Sequence, residues 1–389
     1  MILPGVISFL KDLKRGIKDL MSLGCMAFTS LLPRDRSLAL FGAWEGHQYA
    51  DNPRVLYLLF LELYPGKRGI WLTSEKAIAM ELQEQGLPVC MNGSFRAAFL
   101  KLRAGYVILS NSFRDVGGSA LLGGAKVLNV WHGIPIKRIG IPEGRFRKWV
   151  YLRKRGLTRY SFVSSSPGVT AQFKKGFLLS DTHIREWGQA RNDVFYLPHR
   201  NPIRESFSGM RTIVYMPTFR GDWMKSPVMD LSNILDLPAI DEFCGRNGMV
   251  FLIKFHKWTR FSPIGNYRSV KVLENHPDAQ LTLDAADILI TDYSGCFIDH
   301  LLLDRPQIFF AYDLQQYLSA DLGFLYDYKE IVPGPVCLDG NQLMNELEAL
   351  ASGEDPCRDK RRQRLDYFYS KENRGPVARK QLEKFLCQE

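Results

Sequence analysis

The chain has 389 residues, 46% hydrophobic and 24% charged, with a net charge of +10 at pH 7. This composition excludes a disordered or fibrous protein, leaves room for two α/β domains with separate cores, and points to an acidic partner such as phosphate, anionic lipid or nucleic acid. The seven cysteines (Cys25, Cys90, Cys244, Cys296, Cys337, Cys357, Cys387) contain no C-x-x-C pair, so neither a zinc ribbon nor a disulfide framework is supported, and a reducing compartment fits them.

In residues 1–33 the apolar Val6, Leu10, Leu13, Ile17, Leu20 and Met21 recur at helical spacing, with Lys11, Lys14, Arg15 and Lys18 between them. The apolar run from Leu20 to Leu32 is short of the ~20 residues that a bilayer span needs, and no A-x-A cleavage site follows. The expectation is an amphipathic helix that either lies in a membrane interface or packs on the first domain. Residues 34–200 then alternate strand-like with helix-like segments, the strands being Leu38–Phe41, Gly69–Leu72, Tyr106–Leu109, Lys126–Val130 and Phe162–Ser164. Such alternation predicts a parallel sheet covered by helices.

The polar stretch Pro198–Met210 reads as a linker. A second series over residues 201–365 offers Ile213–Met216, Val250–Lys254, Val270–Leu273, Ile288–Thr291 and Gln307–Phe310 as strands, and residues 366–389 read as a helix packing back across the domain junction. No internal repeat or low-complexity tract is present.

The stretch Asp284–Asp299 reads as strand, polar turn (Thr291, Asp292, Tyr293, Ser294, Gly295) and helix. A helix opening at Ser294-Gly295 would offer free N–H groups, a capping hydroxyl and a positive dipole end to a phosphate, although an ordinary βα turn has the same local pattern. Ligands of open α/β sheets bind beyond the carboxyl ends of strands. Those ends deliver Trp131-His132-Gly133-Ile134-Pro135-Ile136-Lys137, Pro217-Thr218-Phe219-Arg220, His256-Lys257 and the turn at Asp292. Gathered in one cleft, such His, Lys, Arg, Thr and Ser side chains suit an anionic ligand.

These stretches, together with FGAWEGHQYADNPRVLY (residues 41–57), NVWHGIPIK (129–137), GQARND (188–193), YMPTFRGD (215–222), ITDYSGCFID (290–299), RPQIFFAYDLQQY (305–317) and GFLYDY with PGPV (323–336), resemble the CDP-glycerol glycerophosphotransferase family of teichoic-acid primases and polymerases. The resemblance implies an α/β, GT-B-like fold: two Rossmann-type domains with a central cleft, the second binding the CDP donor and the first the acceptor. It also implies attack of an acceptor hydroxyl on the β-phosphorus of CDP-glycerol, with release of CMP.

On the family's pattern His132 is the expected base, Asp299 orients it or binds glycerol, and His256, Ser294 and Thr291 hold the pyrophosphate with the helix N-terminus. Thr218 and Gly295 join them as substrate-binding positions. Arg220 and Lys137 are added from charge and position, with a structural ion pair for Arg220 and a surface cation for Lys137 equally open. The implied partners are CDP-glycerol or CDP-ribitol, a lipid-linked saccharide or growing polymer as acceptor, and an anionic membrane surface on the cytoplasmic side. No nucleic acid, cofactor or metal is expected.

The chain departs from the family pattern at Gly295 (commonly Ser), Ile134 (Thr), Lys257 (Pro) and Leu322 (Arg), which bears on the substrate variant more than on the reaction class. The alternatives are a GT-B glycosyltransferase using a nucleotide sugar, and a catalytically silent membrane-surface scaffold.

Overall fold

Strand cores such as Leu38–Phe41 and Ile288–Ile290 are continuous apolar runs, which suits strands covered on both faces rather than on one. A computed structural model describes residues 4–141, 144–220, 228–256, 259–274, 278–320 and 323–387, the side chains of residues 4–12 and 320 excepted. The chain divides into two compact units: Met1–His132, Ile139–Asp193 and Gly375–Glu389 form the first, and Gly133–Arg138 with Val194–Arg374 the second.

The first unit is built on β1 (Asp35–Gly42), β2 (Arg68–Thr73), β3 (Val89–Met91), β4 (Ala104–Leu109), β5 (Lys126–Asn129), β6 (Arg159–Ser164) and β7 (Ile184–Glu186). All pair in parallel, in the order β3-β2-β1-β4-β5-β6-β7. The helix Asp51–Leu63 buries Leu56, Tyr57 and Phe60 against Phe41 and Trp71 of the sheet. Removing a ring such as Phe60 from this core would cost about 3–5 kcal/mol.

The second unit holds β8 (Arg211–Met216), β10 (Met249–Ile253), β12 (Val270–Val272), β13 (Ile288–Thr291), β14 (Gln307–Phe310) and β15 (Val336–Cys337), while β9 (Val228–Met229) and β11 (Arg260–Phe261) pair apart from them. The order β12-β10-β8-β13-β14-β15, again parallel, repeats the pattern β3-β2-β1-β4-β5-β6 of the first sheet without a counterpart of β7. Each is a doubly wound sheet whose order reverses once, between β1 and β4 and between β8 and β13.

Both series of expected strands lie in these sheets. The strands of these sheets that sequence pattern passed over, β3, β7 and β15, are edge strands of two or three residues, too short to show a period, as are β9 and β11 of the separate pair. The stretch Pro198–Met210, expected as a linker, folds into the second unit. Asn201 caps the helix Pro202–Ser206, Arg204 pairs with Asp287 at 2.8 Å, and His199 reaches Asp284 at 3.1 Å. Over the tail the helix Arg358–Phe368 ends in the second unit at the extended Tyr369, the turn Lys371–Asn373 follows, and beyond Gly375-Pro376 the helix Ala378–Cys387 packs on the first unit. Asp193 accepts the Val377 and Ala378 N–H groups at 2.8 and 2.9 Å, which starts that last helix.

The N-terminal helix runs from Pro4 to Thr29. One side is seated on the first unit: Asp19 pairs with Lys154 at 2.8 Å, Thr29 bonds the Ala120 carbonyl, and the helix passes so close to Gly123 that a Cβ there would lie 1.8 Å from the Met26 carbonyl. The other side leaves Ile17, Met21 and Phe28 more than half exposed. Among the described residues no helix is long and apolar enough to cross a membrane.

Candidate functional site

At the switch point of the second sheet the loops after β8 and β13 are bound together by Asp292, which is fully buried. Its carboxylate accepts the Thr218 N–H at 2.8 Å, the Thr218 hydroxyl at 2.5 Å and an Arg220 N–H at 2.7 Å. Arg220 also pairs with Asp313 at 2.7 Å, and its guanidinium lies 4.9 Å from the Tyr293 ring centre. Burial opposes the charge, but the Asp292 and Asp313 carboxylates outweigh it and hold the guanidinium pKa above its usual value. Thr218, expected as a substrate-binding position, and Arg220, expected as a phosphate contact or a structural ion pair, therefore spend these donors inside an ion-pair network. Sequence reasoning missed its carboxylates, Asp292 and Asp313, since one carboxylate in a turn looks like any other.

Behind this network Thr291 is fully buried, and its hydroxyl donates to the Met216 carbonyl at 2.7 Å, tying β13 to β8 instead of facing a ligand. Asp299 is also buried. It accepts the Tyr369 hydroxyl at 2.8 Å and the Gln280 amide at 3.0 Å, because the short helix Cys296–His300 turns its polar side inward. That helix opens after Gly295 as expected but has five residues and leads into the turn Leu301–Leu303, so few aligned peptide units stand behind Ser294. Ser294 is half-buried and its hydroxyl accepts the Cys296 N–H at 3.3 Å.

Gly295 lies against the segment Gly133–Arg138: a Cβ there would be 2.7 Å from the Ile134 carbonyl. This segment is stitched to the second unit by Arg138 N–H to Gly323 O at 3.0 Å and Leu325 N–H to Ile136 O at 2.8 Å. Its Lys137 places Nζ 5.0 Å from the Tyr317 ring centre. His256, after β10, is exposed, with its ring 5.7 Å from that of Phe219. Lys254, counted with the strand in the sequence reading, is half-buried at the same strand end, and burial lowers its ammonium pKa. A cavity of about 270 Å³ opens beside Arg220 and Tyr312, lined also by Met229, Asp230, Asn233 and Thr259. Lys257 and Leu322 lie outside the described residues.

In the first unit His132 follows β5. Its ring is stacked 4.3 Å from the Trp131 indole and 4.8 Å from that of Trp44. Burial lowers the imidazole pKa; Asp51 opposes that and Arg191 adds to it, so His132 is neutral at pH 7 and able to accept a proton. At the switch point beside it the buried Asp115 joins the loops after β1 and β4, accepting N–H groups of Glu45, Ser110, Asn111 and Ser112. Burial pushes the Asp115 carboxyl up to about 6, against the pull of those backbone donors.

Residues 25–380 match the family model of the CDP-glycerol:poly(glycerophosphate) glycerophosphotransferases. A teichoic acid glycerol-phosphate transferase of Staphylococcus aureus is 27% identical over 371 residues, covering 87% of this chain and 90% of the relative. A teichoic acid poly(glycerol phosphate) polymerase of Bacillus subtilis is 26% identical over 345 residues, 83% of this chain but 45% of the relative, so the chain spans about half the length of that enzyme. A solved structure of the wall teichoic acid polymerase TagF, a histidine-to-asparagine variant with CDPG, superposes with a TM-score of 0.73 at 21% identity, covering 97% of both chains, which shows that the fold is GT-B-like. With its two doubly wound sheets and a family match that runs through both, the chain belongs to the CDP-glycerol:poly(glycerophosphate) glycerophosphotransferase family.

Proposed function

We propose that this chain transfers glycerol phosphate from CDP-glycerol to the hydroxyl of a lipid-linked saccharide or a growing teichoic-acid-like polymer. The family match over residues 25–380 carries the reading. The acceptor oxygen bonds to the β-phosphorus, the bond from that phosphorus to the bridging oxygen breaks, CMP leaves with the bridging oxygen, and the acceptor proton passes to His132. A neutral imidazole at pH 7 is the form this step requires.

In the second unit the role of His256, Ser294, Lys137 and Lys254 is to hold the donor phosphates, and the cavity beside Arg220 is the seat for the nucleoside. Thr218, Arg220, Thr291 and Asp299 act by fixing the loops that carry those groups, and Gly295 by letting the Ile134 carbonyl approach. The purified protein, offered CDP-glycerol, CDP-ribitol and a panel of UDP-sugars with a saccharide acceptor, should release CMP from CDP-glycerol. Release of UDP without CMP would replace this reading with a nucleotide-sugar glycosyltransferase.

The same reading places the enzyme on the cytoplasmic face of the membrane. Support comes from the exposed Leu13, Ile17, Leu20 and Met21 interleaved with exposed Lys14, Arg15 and Lys18. Each cation near an anionic surface contributes about 1 kcal/mol, screened by salt. Co-sedimentation with anionic vesicles should fall with salt and with removal of the residues before Pro33. Binding indifferent to both would assign the helix to the first unit alone.

A further inference from the structure

Two stretches singled out in the sequence, FGAWEGHQYADNPRVLY (residues 41–57), through its Asp51 and Asn52, and GQARND (188–193), have no part in the chemistry just proposed, yet both converge on the backbone that carries His132. The Asn52 side-chain amide, fully buried, donates to the carbonyls of Val130 at 3.2 Å and Trp131 at 2.9 Å. Arg191 Nη1 donates to the next carbonyl, that of His132, at 2.9 Å, and its backbone N–H donates to Asn52 Oδ1, also at 2.9 Å. The same guanidinium is paired with Asp51, whose other oxygen accepts the Trp44 indole N–H.

These bonds surround an unusual piece of backbone. Trp131 has φ +53°, a left-handed conformation that a bulky residue keeps only where its surroundings enforce it. Trp44, Glu45 and Asp51 share positive φ, whereas the other two such non-glycine residues among those described, Leu178 and Asp304, simply end helical turns. With three consecutive carbonyls held and an indole on either side, the imidazole has little freedom of direction.

We propose that Asp51, Asn52 and Arg191 are positioning residues for His132: by capturing the carbonyls of residues 130–132 they hold Trp131 left-handed and aim the imidazole between the Trp44 and Trp131 indoles. This rests on His132 being the base. A base displaced by about 1 Å loses up to about a hundredfold in rate, so the clamp should appear in turnover rather than in donor binding.

The test uses the full chain with Arg191→Lys, which keeps a cation beside Asp51 but loses the fork, and Asp51→Asn, which keeps the shape and removes the charge. Kinetics with CDP-glycerol are joined to NMR of ring-labelled histidines, His132 being assigned by His132→Gln. Both variants should lose about ten- to a hundredfold in kcat with KM for CDP-glycerol unchanged. The His132 ring protons, shifted upfield by two indoles in the parent, should move toward their solvent-exposed position. Adding Arg191→Lys to His132→Gln should cost nothing further.

Unchanged kcat with an unmoved ring signal would overturn the proposal. So would a loss that tracks thermal unfolding and leaves the signal in place. If His132→Gln alone turns over normally, the base reading fails, while the ring signal still reports on the clamp. Should Arg191→Lys not fold, Asp51→Asn carries the same two readouts.

Discussion

In the first unit the loop after β1 is tied to the loop after β4 through Asp115, and in the second the loop after β8 is tied to the loop after β13 through Asp292. Both carboxylates are fully buried, and both take a backbone N–H from across the switch point. They differ in what balances the charge. Asp115 is met by N–H and hydroxyl donors and titrates near 6, whereas Asp292 also has the Arg220 guanidinium at 2.7 Å. One strand order thus aligns two loops mechanically in each unit, and the electrostatics of the alignment are free to differ. In the second unit the guanidinium is part of the loop alignment itself, whereas in the first unit the ion pair nearest the histidine, Arg191 with Asp51, stands apart from the donors that meet Asp115.

The most severe break of this division is His132→Ala, which should cut turnover by about two to four orders of magnitude while leaving the fold and CDP-glycerol binding intact. Single-turnover kinetics beside donor titration would measure it, and near-normal turnover would remove the chemistry from the first unit. In the parent, the acid limb of kcat/KM should fall below pH 6.5, since burial lowers the His132 pKa.

Next in size is Asp292→Asn. It leaves the Arg220 guanidinium with one carboxylate and should cost about 3 kcal/mol in denaturant unfolding of the second unit, with weaker donor binding. A change under about 0.5 kcal/mol would mean that the ion pair is not what holds these loops.

Asp115→Asn should behave differently, and pH shows how. The folded pKa, near 6, is above the ordinary 3.8, so the protonated carboxyl favours the fold. That contribution is fully present below 3.8 and lost as pH rises through 6. The parent's stability advantage over Asp115→Asn should therefore shrink by up to about 3 kcal/mol between pH 4 and 7. An advantage that grows with pH would show that the backbone donors, not burial, dominate this carboxylate.

The smallest expected effect belongs to Gly295→Ala. Its φ is −68°, so no backbone strain is added, and the cost is the 2.7 Å approach to the Ile134 carbonyl. A loss of about 1–2 kcal/mol from a displaced 133–138 segment should raise KM for the donor. An unchanged KM would show that this segment gives way freely.

The sequence by itself determined the two parallel sheets, because strands buried on both faces must be written as unbroken apolar runs followed by polar turns, and those turns carry the motifs. It also placed His132, His256 and Ser294 at strand ends, since that position follows from the local pattern alone. It did not determine which polar side chains face a ligand. Thr218 and Arg220 are bound into the Asp292 network, Thr291 to the Met216 carbonyl, and Asp299 to Tyr369 and Gln280. Each of these partners is remote in sequence. Only the tertiary structure decided them, because a hydrogen bond is settled by which groups the fold brings within about 3 Å, and residue type at a strand end says nothing of that distance. The same holds for the clamp on His132: Asn52 and Arg191 are 80 and 59 positions from it in the chain, and only the packing of the helix Asp51–Leu63 and the turn Ala190–Phe195 beside the end of β5 brings their donors to consecutive carbonyls.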